Sequence, residues 1–149
     1  MTPASIDRIQ ASFNEITARF DCVAARFYER FFADDPSARH LFKGDLTVQA
    51  GHLAAALALI VRNLTMLDAL EEPLIELGIV HGLIGVRPVH YPVACRSFVL
   101  ALEDVLGSRW TAQLGADWER LLALIVGHMI TGTRAVCDAA AAPPRGTRA

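Results

Sequence analysis

Apolar residues recur at helical spacing along almost the whole chain, and no stretch alternates as a strand would. That restricts the fold to packed helices. Ile6, Ile9, Phe13, Ile16 and Phe20 mark a first helix, opened by Pro3 with Ser5 as its cap. Residues 21–32 form a second, with Val23, Phe27 and Phe31 on one face; Asp34-Asp35-Pro36 stops it. A short turn covers 37–42. Asp45 or Thr47 caps a helix over 48–63, which turns Gln49, His52, Leu53, Ala56, Leu57 and Ile60 to one side. Residues 63–72 read as an irregular connection. Pro73, at the favoured first position, opens the helix that carries His81. Two long helices follow, over 90–106 and 111–140, parted by Gly107-Ser108. Thr111 caps the second, with Asp117 and Glu119 in its early turns. The expectation is an all-α domain over 1–140 and a flexible tail over 141–149. Seven to eight helices of unequal length suit steep crossings around a pocket better than a symmetric four-helix bundle.

Composition narrows the function classes. The chain has 149 residues, 53% apolar and 20% charged, enough for one domain with a substantial core. Net charge is −2, Lys43 is the only lysine, and the arginines are scattered, so there is no footprint for nucleic acid. The longest apolar run, Leu53 to Val61, is too short to span a bilayer. Asp7 and Arg8 interrupt the N-terminus before any apolar run, unlike a secretory leader. A soluble, cytoplasmic protein with no membrane association is expected. Cys22, Cys95 and Cys137 are odd in number and lack a CxxC spacing, which argues against disulfides and zinc. Each falls in a helix and reads as a small apolar filler. His40 reads as a surface residue and His128 as a core residue.

The segment from Leu77 to Tyr91 places His81 on an apolar helix just before a Gly85-Val86-Arg87-Pro88 break. A lone histidine there is more often a core residue than a ligand. More is carried by an ordered set of motifs: Phe27-Tyr28-Glu29-Arg30-Phe31-Phe32, Asp35-Pro36, Leu41-Phe42, then Gly85 through Val93, then Val105-Leu106-Gly107 and Ala116-Asp117-Trp118. Together, from about Phe13 to Met129, they resemble bacterial single-domain haemoglobins and the globin domain of flavohaemoglobins.

That resemblance implies a globin fold around haem b (iron protoporphyrin IX), with His81 as the metal ligand. It implies cofactor contacts from Phe42, Tyr28, Gln49, His52, Leu53, Val86 and Tyr91. Phe42 would pack flat on the ring, Tyr28 and Gln49 would donate hydrogen bonds to a bound ligand, and Leu53 would lie over the iron. His52 is expected at the pocket rim or on a propionate in preference to the iron, with Arg87 and His90 as further propionate candidates. Core roles stay open for Phe42 and Tyr91, since burial in a core and burial on haem use the same physics. The chain departs from the flavohaemoglobin pattern in two places. Thr133, fifteen residues after Trp118, stands where that group has a glutamate, and Val80 replaces a lysine.

Function follows from the same resemblance. O2, NO or CO would bind at ferrous iron, and dioxygenation of nitric oxide would need an external electron-donor reductase, since no glycine-rich nucleotide-binding segment occurs here. Two alternatives are a gas sensor acting through a partner protein and a haem-free globin-like structural module. The alanine- and leucine-rich helical surface leaves room for a homodimer.

Overall fold

The computed structural model describes residues 1–143, and every regular element in it is helical. The six α-helices are α1 (Pro3–Thr17), α2 (Phe20–Asp34), α3 (Leu46–Arg62), α4 (Glu71–Leu83), α5 (His90–Leu106) and α6 (Ala112–Ala141). Three 3-10 segments join them, at Pro36–Leu41, Leu64–Leu70 and Gly107–Arg109. The expected count of seven to eight is met by the α-helices with the two longer segments. Ala141 ends α6, and the rest of the expected tail, 144–149, lies outside the described residues.

Caps fix the helix starts, and two differ from the sequence reading. Thr2, not Ser5, caps α1: its hydroxyl accepts the Ser5 N–H at 3.2 Å because Pro3 already occupies the first helical position. Ser5 is buried one turn in. Helix α4 begins at Glu71, two residues before Pro73, because the Leu64–Leu70 turns run straight into it. Pro73 still sits in the first turn, where its missing N–H has no acceptor to lose. Asp45 caps α3 by accepting the Thr47 N–H at 2.8 Å, and Thr111 caps α6 through the Leu114 N–H at 3.1 Å.

The core is built on Trp118, Ile9, Ile16, Leu102, Leu121 and Val23. Trp118 Nε1 donates to Ser12 Oγ at 3.0 Å, and that hydroxyl donates on to the Ile9 carbonyl at 2.8 Å, which ties α6 to α1. Helix α6 is long and apolar enough to meet the length and composition of a membrane span, although its longest unbroken apolar run is short. Here one face of it is buried against the other helices. Cys22 is exposed, contrary to the filler role expected of it, while Cys95 and Cys137 are half-buried.

Two packing choices make room for a site. Helix α4 lies on α6 at backbone contact: a Cβ on Gly78 would overlap the Met129 carbonyl, and one on Gly132 would overlap the Ile75 carbonyl. Helix α3 instead packs on α1 and α2, and the chain turns by 110° between α3 and the Leu64–Leu83 stretch. The helix bearing Gln49 and the helix bearing His81 therefore diverge from a shared corner.

Candidate functional site

His81 lies in the last turn of α4, half-buried. Its Nδ1 is 2.8 Å from the Leu77 carbonyl, which can only accept, so Nδ1 carries the proton and Nε2 keeps its lone pair. Burial lowers the histidine's affinity for a second proton, a tendency the Leu77 bond partly opposes. The Val86 N–H caps the His81 carbonyl at 3.0 Å, which fixes the turn after the helix. Gly85 within that turn has φ +102°, with the Leu41 side chain against it.

Behind the imidazole, Tyr91 stands with its ring centroid 6.3 Å away. Its hydroxyl is 2.7 Å from Thr133 Oγ1, which itself donates to the Gly78 carbonyl at 2.9 Å. Thr133 has one proton to give, so Tyr91 is the donor in the first bond. Burial raises the Tyr91 pKa above its ordinary value. The chain Tyr91–Thr133–Gly78 thus ends on the backbone of α4, one turn before His81. Sequence reading found Thr133 only as a missing glutamate; its bond to α4 had no local signal.

A second group forms on α2 and the turn after it. Tyr28 is buried beside Phe27, Phe32 and Phe42, with ring centroids 5.2, 5.9 and 5.4 Å away. Phe42 also meets Phe32 edge-on at 5.3 Å. Burial alone raises the Tyr28 pKa; no hydrogen bond to its hydroxyl occurs among the described residues. Gln49 and Leu53, four apart on α3, are both half-buried, as is Val86. His52 does not join them. At 3.6 residues per turn it points about 100° away from Leu53, and it is exposed. The expectation that it shares their inward face is corrected. His40 is exposed as expected, and His128 is half-buried where a core position was expected.

Several apolar side chains close to His81 along the chain are exposed: Val80, Leu83, Ile84 and Val89 at 54%, 71%, 56% and 65%. No group of three or more His, Cys, Asp or Glu side chains suited to a metal ion occurs among the described residues.

Comparisons with known proteins bear on family and fold. The globin family model matches residues 25–129. Over 129 residues the chain is 26% identical to a flavohemoprotein of Bacillus subtilis, covering 85% of this chain and 32% of that protein. It therefore spans about a third of that relative's length. Leghemoglobin-1 of Lupinus luteus is 28% identical over 135 residues, 79% of this chain and 86% of that one. Among solved structures, a Rhodothermus marinus protein engineered as a carbene transferase superposes with a TM-score of 0.83 at 23% identity, over 95% of this chain and 99% of its own. From the family model across Tyr28, Phe42 and His81, and from the fold that carries them, this chain belongs to the globin family.

Proposed function

We propose that the chain binds haem b through His81 and holds a diatomic gas, O2 first among them, under the donors of Tyr28 and Gln49. The observation that carries this is the state of His81: a neutral imidazole with Nδ1 committed to the Leu77 carbonyl and Nε2 free. The residues fit the group. A single nitrogen ligand from the protein would suit an iron whose other donors come from a macrocycle. The apolar side chains exposed close to His81 along the chain suit a flat apolar body, and Phe42 offers an aromatic face at the turn after α2.

When bound, haem supplies a ferrous iron that takes O2, NO or CO at its open position. The protein's part is to orient, to donate and to exclude water. Tyr28 presents an O–H kept protonated by burial, and Gln49 presents an amide N–H. Two such donors slow ligand escape; each contributes about 1 kcal/mol in an ordinary setting. On the other side of the imidazole the hydrogen bonds are neutral, to a carbonyl from His81 and to a hydroxyl from Tyr91. A carboxylate there would draw the Nδ1 proton and make His81 a stronger electron donor. Its absence from these two bonds favours holding the gas over cleaving it. Nitric oxide dioxygenation would be a further use of the same site, with a reductase returning electrons.

The test is the visible absorption of the purified protein, as isolated, reduced, and reduced under CO. An intense Soret band that moves on adding CO is the expected result. A chain that takes up no haem on reconstitution overturns the proposal and leaves the fold in place.

A further inference from the structure

Phe42 stands just past the Pro36–Leu41 segment, and Arg39 holds both of its backbone polar groups. The Arg39 carbonyl accepts the Phe42 N–H at 3.2 Å, and Arg39 Nη1 donates to the Phe42 carbonyl at 2.9 Å. No other hydrogen bond to the Phe42 backbone occurs among the described residues. The next backbone N–H along the chain to find an acceptor there is that of Thr47, on the Asp45 carboxylate. The same guanidinium lies over the Phe32 ring, with Cζ 5.3 Å from the centroid. Phe32 in turn stacks on Tyr28, with centroids 5.9 Å and planes 13° apart, and meets Phe42 edge-on at 5.3 Å.

One exposed side chain therefore reaches both the backbone of Phe42 and the ring that stacks on Tyr28. The chemistry of the guanidinium permits this. Its flat face can lie on a ring while an N–H in its plane donates elsewhere, which a compact ammonium cannot do at once. Tyr28 needs such support. Its hydroxyl has no hydrogen-bond partner among the described residues, so its direction is set by the rings packed on it, Phe27, Phe32 and Phe42. We propose that Arg39 is a positioning residue for the gas site: it braces Phe42 and Phe32, and through them sets where the Tyr28 hydroxyl stands. The inference rests on the distal role given to Tyr28 above and adds to it a surface residue that tunes the pocket through its wall.

Arg39→Ala, Arg39→Lys and Tyr28→Phe, singly and combined in the full chain, test this. Arg39 is exposed, so its replacement leaves the fold standing. The first readout needs no haem: the carbonyl-carbon shift of Phe42 and the ring-proton shifts of Phe42 and Tyr28. Arg39→Ala should move all three, and Arg39→Lys should move them less. Unmoved shifts in Arg39→Ala would overturn the brace. The second readout is O2 dissociation by stopped flow. Arg39→Ala should quicken it about threefold, short of the roughly fivefold expected of Tyr28→Phe, because the arginine acts only through that hydroxyl. Adding Arg39→Ala to Tyr28→Phe should then change nothing further. The same acceleration in both backgrounds would overturn the proposal, since the arginine would then act on the bound gas by its charge or on the pocket as a whole. A chain that takes up no haem fails the earlier proposal, and the shifts then decide the brace alone.

Discussion

The Leu77 carbonyl holds the Nδ1 proton of His81 and so settles which nitrogen is left to bind. Replacing His81 by alanine should abolish stable haem uptake; a variant that keeps a full Soret band in ordinary buffer would remove His81 from the role. Tyr28→Phe deletes a hydroxyl but keeps the ring that packs on Phe42. Its O2 dissociation, followed by stopped flow, should quicken about fivefold, the equivalent of one hydrogen bond of about 1 kcal/mol. An unchanged rate would show that the hydroxyl does not reach the ligand. His81 was singled out in the sequence by its place on an apolar helix before the Gly85-Val86-Arg87-Pro88 break, within the ordered set of motifs. Its acceptor was not, since an i−4 carbonyl lies behind every helical residue. Thr133 was harder still, because its partners Tyr91 and Gly78 are 42 and 55 residues away along the chain. His52 was grouped with Leu53 on one side of α3, but adjacent helical positions point about 100° apart, and His52 is exposed where Leu53 is half-buried.

Helices α4 and α6 are matched through their glycines. A Cβ at Gly78 or Gly132 would meet backbone, which cannot yield as a side chain can. Gly132→Ala should therefore lower stability by about 2 kcal/mol or more in urea unfolding, although alanine is the better helix former by about 1 kcal/mol. Gly127→Ala, on the same helix with nothing near it, should stabilise by up to that propensity gain. If the two variants unfold alike, the close approach does not exist in solution. Helix α5 contains the reverse case. Ser97 is fully buried, and its hydroxyl has no partner among the described residues. Ser97→Ala should leave the midpoint unchanged or raise it, since an unsatisfied hydroxyl costs about 1–3 kcal/mol. The bounds of α5 were legible from sequence, because Pro88 and Gly107 bracket one apolar-periodic run. The start of α4 was not: Pro73 is a strong signal, but a 3-10 turn feeding a helix leaves no break for a residue pattern to report.

Over the whole molecule, charge is sparse inside, and among the described residues Asp117 is the one buried carboxylate. Asp117 is fully buried and accepts from Arg8 Nε at 2.6 Å, which holds its pKa below the ordinary aspartate value. The unfolded chain takes up that proton first as pH falls. The contribution of the pair is therefore complete above about pH 4 and is lost progressively below it. Asp117→Asn should melt lower than the parent at pH 7, with the difference shrinking toward pH 2; a constant gap would show that the charge is not what matters. Neither residue advertises this pairing, because Arg8 and Asp117 stand 109 positions apart. The backbone contact between α4 and α6 carries a further consequence for how such a chain can change over generations. Pockets are usually retuned by trading one side chain for another of different volume. At Gly78 and Gly132 that route is closed, because every alternative residue adds atoms where there is no space. Inherited adjustment of the histidine's setting is thereby channelled to Tyr91, Thr133 and the turn after α4, and a saturation library scored for haem colour should find its tolerated variants there and almost none at the two glycines.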